Sequence, residues 1–443
     1  MRVSLRRLYV AFVVIVVLVA FSMAGADWWR SHASQIAATT SYKTPAEQNV
    51  YVRFDMEAFD VIQENYWQKA SESDLAQFFA LSLAKTDPKA SPIATSTRSG
   101  VADMLASAMA GKTDDEKKHI AVGTLQVVLY NLPPVGHGEL MTREVQTALQ
   151  NNVANVNPTQ DLYGALGLQK GASVQQADQA FTAKSADLSA TTSPQGKQQL
   201  VAVQHAHQVL SNPIDNLIYE QTGAEPTVQH RIIGGHTLYV GVSKIAPTTV
   251  YELAALFDAA STTPGLNSLI IDMRSNLGGD LSFTTNFMSL FFGPQTYVYD
   301  LFHQGTFVPQ RTPQAAQLAS VSRFREIAIL IDGMTQSTAE LTASAMRHAH
   351  LAYIVGSKSR GWGSVEATYP LTTIIDPKET YAMLLVSYLT VRDGGLPIEG
   401  NGVPADVDIG ARDWKQQLAN YFYSPDLIAA IKTAIAQPPH VQQ

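Results

Sequence analysis

Leu269-Ile270-Ile271-Asp272-Met273-Arg274-Ser275-Asn276-Leu277-Gly278-Gly279 is the stretch that decides the architecture. Ser268–Met273 is a short apolar run, followed by a polar turn and two glycines. A strand without polar alternation is buried on both faces, so it predicts a sheet covered by helices. The glycines have two readings. They form a tight turn at positive φ, or they let a backbone N–H approach a developing oxyanion.

Working outward, Thr237–Val242, Ile327–Ile331 and Ala352–Val355 read as further short strands. Thr249–Ala260 reads as an amphipathic helix, apolar at Val250, Leu253, Ala254 and Phe257, and Thr338–His348 as a second helix. Thr380–Val391 is a longer strand, expected to close the sheet, and Trp414–Gln437 gives one or two helices that pack back. Strands joined by helices define an α/β core.

Upstream, Asn49 to about Gln150 is helical, with Phe54, Ala58, Val61, Ile62 and Tyr66 at three- and four-residue steps. Lys85–Gly100 is a loop, and Leu132-Pro133-Pro134 stops a helix. Asp161–Gly223 is a compact helical unit. It opens with Asp161-Leu162-Tyr163-Gly164-Ala165-Leu166-Gly167-Leu168 and ends near Ala206-His207-Gln208-Val209-Leu210-Ser211-Asn212-Pro213 and Ile218-Tyr219-Glu220-Gln221-Thr222-Gly223. This order resembles a J-domain. The His-Pro-Asp element of that family would fall in Thr192-Ser193-Pro194-Gln195-Gly196, where only the proline is kept. The unit is therefore expected to be structural, with no Hsp70 partner.

Arg2, Arg6 and Arg7 precede an apolar run, Leu8–Met23, then Ala24-Gly25-Ala26 and Trp28-Trp29. A helix over Leu8–Ala26 would span about 28 Å, close to the ~30 Å hydrocarbon thickness. Two readings stand: an uncleaved signal anchor, or a signal peptide cleaved after Ala26. The first gives a single-pass cell-membrane protein with its bulk outside the cytoplasm, and the second a secreted one. The expected organisation is anchor or signal peptide (1–26), linker (27–46), helical domain (47–158), J-domain-like unit (159–224), α/β domain (225–411) and helical tail (412–443).

The net charge of −7 over 443 residues leaves no basic footprint, so no nucleic-acid partner is expected. With no cysteine, disulfides and thiolate chemistry are excluded. The eleven histidines are scattered and no HExxH occurs, so neither a metal nor a cofactor is expected.

Three further segments accompany the opening stretch: Ser337-Thr338-Ala339-Glu340, Gly356 to Glu366, and Gly402-Val403-Pro404-Ala405-Asp406-Val407. Together, in this order and spacing, they resemble the tail-specific, or C-terminal-processing, serine peptidases over about 180 residues, Gly234–Ile409. The resemblance implies a crotonase-like α/β core with covering helices. It is preceded here by all-α N-terminal regions and an N-terminal membrane helix. The family's inserted PDZ domain is not seen; the J-like unit stands in its place. A polypeptide substrate is implied, and a homodimer through the N-terminal helices is allowed.

The resemblance puts Ser337 at the nucleophile position and Gly278 or Gly279, with Thr338 N–H, at the oxyanion hole. Asp272 and Arg274 brace the loop. By its residues alone, Ser337-Thr338-Ala339-Glu340 is also a helix-capping box. The family's base is a lysine, whose position holds Trp362, and an indole N–H cannot accept a proton. Trp362 then fills space. Glu366 takes the place of the glutamine that orients that lysine, and is a base or helper candidate. Lys358, His348 and His350 read as loop and helix-end residues. His236 is the alternative base, since related peptidases outside the lysine-using branch take a histidine from an upstream segment. Two functions follow: a serine endopeptidase with a substituted base, or an inactive pseudopeptidase that binds peptide.

Overall fold

The computed structural model describes Tyr42 and residues 44–392 and 394–439. The expected apolar segment Leu8–Met23 and the site after Ala26 lie outside the described residues. Among those described, no helix is long and apolar enough to cross a membrane. The chain forms two compact units, each assembled from separate stretches. One comprises residues up to 147 with 302–307 and 364–389, and the other 148–301, 308–363 and 390–443.

The first unit is built on α1 (Val50–Asn65), α2 (Glu72–Thr86), α3 (Arg98–Met109) and α4 (Asp114–Asn131). Each starts at a side chain that accepts from the first turn: Asn49, Ser71, Thr97 and Thr113. Such caps satisfy the backbone N–H groups that a helix leaves unpaired. Phe54, Phe59, Ile62, Leu75, Phe79, Leu83, Leu105 and Leu125 form its core, joined by Met383 and Leu385. A short strand missed by the helical reading, β1 (Glu139–Thr142), follows α4. It pairs antiparallel with Tyr381–Leu384 of β10 (Tyr381–Val391), and β10 also pairs with β9 (Ser364–Pro370). The strand expected to close the parallel sheet therefore serves another sheet. Its apolar length reported burial on both faces and carried no information about its partner.

The second unit continues from α5 (Arg143–Val153). It contains a helical cluster, α6 (Leu162–Leu166), α7 (Val174–Ser189), α8 (Pro194–Leu210) and α9 (Pro213–Thr222). Leu162, Tyr163, Leu166, Val203, Ala206 and Leu210 pack at its centre. This is the compact unit expected over Asp161–Gly223.

A six-stranded sheet follows. Its strands are β2 (Val228–Ile233), β3 (Thr237–Val242), β4 (Ser268–Asp272), β7 (Glu326–Ile331), β8 (Tyr353–Gly356) and β11 (Val407–Asp408), in the order β11-β8-β7-β4-β3-β2. All neighbours are parallel except β2, which runs antiparallel at the edge. The sheet closes on the two residues of β11. Tyr239, Ile270, Ala328, Leu330 and Val355 pack on the tail helix, Leu427, Ile431 and Ala434 among them. The alternate residues Leu238, Val240, Leu269, Ile271, Ile327 and Ile329 are buried too, so both faces are covered. The connecting helices are α10 (Thr249–Ala260), α11 (Ser282–Ser289) and α12 (Thr338–His348), and the tail holds α13 (Trp414–Gln417) and α14 (Pro425–Ile435). Strands β5 (Tyr297–His303) and β6 (Thr306–Arg311), not foreseen, flank a Gln304-Gly305 turn with positive φ at both residues. Because β3, β4, β7 and β8 are parallel, the segments after Val242, Asp272, Ile331 and Gly356 leave one common edge. Open α/β sheets place ligands at this edge.

Candidate active site

At that edge Asp332 builds the turn after β7. Its Oδ1 accepts from Ser275 N (2.8 Å), Met334 N and Thr335 N (both 3.0 Å), and its Oδ2 from Ser275 Oγ (3.0 Å). Thr335 Oγ1 donates to Met273 O at 2.8 Å, and Gln336 N to Asn276 O at 2.9 Å. The turn is thus stitched to the loop after β4, and it delivers Ser337 to the start of α12.

Ser337 is not held as an ordinary cap. A capping serine has a β-region backbone, whereas Ser337 has φ 57° and ψ −130°. This region is sparsely populated outside glycine and is kept only where surrounding contacts over-determine it. Two of them act on the Ser337 N–H, which donates to Trp362 O (3.0 Å) and Glu340 Oε2 (2.9 Å). A third is steric: a Cβ on Gly278 would lie 2.6 Å from Ser337 Cβ and 3.0 Å from Thr338 N. Gly278 is therefore glycine both for its φ of +83° and for room.

The two glycines differ in what they offer. Gly278 N–H donates to Asn276 Oδ1 at 2.8 Å, so it is already engaged. Gly279, at φ +145°, sits against Ile245, and a Cβ there would meet Ile245 O at 1.9 Å. Ile245 N donates to Gly278 O (3.2 Å) and Asp280 N to Ile245 O (3.0 Å), which fixes the glycines to the chain leaving β3. Among the described residues the N–H groups of Gly279 and Thr338 have no acceptor. Thr338 Oγ1 donates to Gly279 O at 3.1 Å, tying the two together. Asp272 and Arg274 form the expected brace. Their buried pair is 2.6 Å long, Tyr239 donates to Asp272 at 2.8 Å, and Arg274 reaches Ala434 O at 3.1 Å.

Trp362 is half-buried, with the Arg360 guanidinium 5.3 Å from its ring centroid. Its backbone is used at both ends, C=O to Ser337 N and N–H to Glu340 Oε2 (2.9 Å). Glu340 is fully buried and also accepts from Ser359 Oγ (2.5 Å) and Gly361 N (2.7 Å). Burial pushes its carboxyl above the ordinary value, against the pull of those donors.

The remaining candidates separate. His236 stands before β3, at the opposite end of the sheet, since Thr237 pairs with Ser268 and Gly241 with Asp272. Six residues of strand put it about 20 Å from the edge that carries Ser337. There its Nδ1 lies 2.9 Å from Gly265 O and its Nε2 3.9 Å from Asp426. The structure does not bring His236 to Ser337. His348 is at the far end of α12, about 16 Å along the helix axis, and Lys358 is exposed.

Glu366 lies in the first unit, in a cluster that the sequence reading missed. Ser364 Oγ donates to Glu366 Oε1 at 2.5 Å, and His137 Nδ1 is 2.7 Å from Ser364 Oγ and 3.6 Å from Glu366. With its proton given to Glu366, Ser364 Oγ accepts from His137 Nδ1–H. That places a ring proton on Nδ1. The available signal was local: Gly136-His137-Gly138 beside Pro133-Pro134, a histidine in a turn ahead of a strand.

A covered α/β sheet thus presents a strained serine at a helix N-terminus with two backbone donors, Gly279 N–H and Thr338 N–H, beside it. The model of peptidase family S41 matches residues 236–409, so this part of the chain is similar to that family. It is 26% identical over 201 residues to a carboxy-terminal-processing protease of Bartonella bacilliformis, covering 45% of this chain and 44% of that protein. It is 27% identical over 134 residues to a carboxyl-terminal-processing protease of Synechocystis, covering 30% of each. The chain spans less than half the length of these relatives. Among solved structures, the photosystem II D1 C-terminal processing protease matches with a TM-score of 0.47 at 12% identity, over 81% of this chain and 93% of that one. A Streptococcus agalactiae lipoprotein matches with a TM-score of 0.45 at 10% identity, over 84% and 96%.

Proposed function

We propose that this protein is a serine endopeptidase whose base is a group other than the family's lysine. Ser337 Oγ is the nucleophile. The N–H groups of Gly279 and Thr338 hold the oxyanion; Gly278 contributes room rather than a donor. A base takes the Ser337 proton as Oγ attacks the peptide carbonyl. It returns that proton to the leaving amine, and water then hydrolyses the acyl-serine ester.

The observation that carries the reading is the Ser337 backbone, which no helix cap requires. Trp362 supports a base other than lysine, since an indole N–H cannot accept a proton. The substrate class is polypeptide, unfolded or with an exposed C-terminus. The core is crotonase-like, the chain is anchored or exported by its N-terminal segment with the bulk outside the cytoplasm, and the helical unit over Asp161–Gly223 is structural.

The test is cleavage of an unfolded polypeptide by the full chain. Ser337→Ala should lower kcat by about 10³-fold or more. Cleavage surviving in Ser337→Ala would end the serine mechanism. The second reading, a pseudopeptidase, is favoured by Trp362 alone. It predicts peptide binding without Ser337-dependent turnover.

A further inference from the structure

Glu340 has more partners than a cap needs. In a capping box the third helical residue reaches back to one N–H. Here Oε2 accepts from Ser337 N and Trp362 N, both at 2.9 Å, and Oε1 from Gly361 N at 2.7 Å and Ser359 Oγ at 2.5 Å. Each oxygen has two donors, which fills the capacity of an ionised carboxylate. Three of the four donors come from 359–362, about twenty residues further along the chain. Ser359 Oγ in turn accepts from Val403 N at 2.7 Å, carrying the tie into the segment before β11. Glu340 and Ser359 are buried, where such bonds are strongest. At the centre is Ser337, whose φ of 57° has no local cause, because serine gains nothing from it.

We propose that Glu340 is a positioning residue. Its carboxylate clamps the 359–362 segment onto the nucleophile turn. The clamp holds Ser337 in its strained conformation, and with it the direction of Oγ and of the Thr338 N–H. The proposal rests on the peptidase reading of Ser337 for its effect on rate, but not for the clamp itself. Glu340 touches no reacting atom. It acts through Ser337.

Two readouts on the full chain test it, each comparing wild type with Glu340→Gln. The amide keeps the shape but turns one acceptor into a donor facing N–H groups. Amide hydrogen exchange at Gly361 and Trp362 should quicken at least tenfold, while the melting temperature of the rest of the chain moves little. Ser337-dependent cleavage should fall about 10²-fold in kcat with KM within threefold, the penalty expected for a nucleophile displaced by about 1 Å. Reaction of Ser337 with a fluorophosphonate should slow in parallel. Glu340→Asp, which keeps both acceptors on a shorter arm, should recover part of the loss.

Unchanged exchange and unchanged kcat in Glu340→Gln would reduce Glu340 to a cap and overturn the proposal. A KM rise with constant kcat would overturn it too. If Glu340→Gln does not fold, Ser359→Ala removes one donor and should show the same exchange and kcat pattern on a smaller scale; its absence there overturns the proposal. If wild type shows no Ser337-dependent cleavage, the peptidase reading fails, and the exchange comparison still decides the clamp.

Discussion

Two buried carboxylates, one in each unit, are held in opposite ways. Asp55, in α1 of the first unit, is fully buried, and among the described residues neither of its oxygens has a hydrogen-bond partner. Glu252, in α10 of the second, is about as buried. It accepts from Thr227 N (2.7 Å), Val228 N (3.0 Å), Thr227 Oγ1 (3.1 Å) and Thr248 Oγ1 (3.1 Å). Burial raises both pKa values, but only Glu252 has donors pulling the other way. The difference separates two uses of a buried acid. With converging donors it fixes backbone geometry. Without them it is carried as a neutral group, and its cost appears when pH asks it to ionise.

The largest expected effect is on the donor-rich side. Glu252→Ala strands two backbone N–H groups and two hydroxyls, and should lower stability by about 3 kcal/mol or more in urea unfolding. A loss under about 1 kcal/mol would show that these donors re-pair easily and would erase the contrast.

Next comes Asp55, whose folded pKa lies well above its unfolded value. Below about pH 4 the group is protonated in both states. Above that, only the unfolded chain ionises. Stability therefore falls as pH rises, by up to about 1.4 kcal/mol per pH unit from this group. Asp55→Asn should flatten that fall while leaving stability at pH 4 nearly unchanged. An identical slope in the variant would mean that Asp55 has a charge partner after all.

The smallest effect belongs to Asp215 in α9, raised to about 7 by burial first and then by the charge of Glu252. It has the same sign over about pH 4–7, reduced by solvent screening because the side chain is only half-buried. Glu252→Gln should lower the Asp215 pKa in an NMR titration. No movement would uncouple the two carboxyls.

How much of this was legible in sequence depended on range. Ser268–Asp272, the Gly278-Gly279 pair and Ser337 at a helix start are local patterns, and each was found where it was expected. Partner choice was not local. Tyr381–Val391 is equally apolar whether it joins a parallel sheet or pairs with β1 and β9, so its sheet was misjudged. His236 attracted attention as the histidine nearest a core strand, but the direction of β3 carries it to the wrong edge. His137 has no periodic context, and its link to Ser364 spans 227 positions. The same holds for Glu340. Its tie to Ser337 is a capping box visible in four residues, whereas its three other donors come from a loop that only folding brings near. Which glycine supplies a donor turned on Asn276 Oδ1, a contact that the motif does not encode.

Position 362 has a consequence for how such proteins diversify. Its N–H and C=O are both spent on holding the serine turn, and any amino acid except proline supplies them. The side chain is therefore a replaceable cartridge in a fixed socket. Another residue type can stand there and keep every backbone tie. Glycine-rich signatures of this segment consequently track the socket, and chains that share them need not share a reaction mechanism.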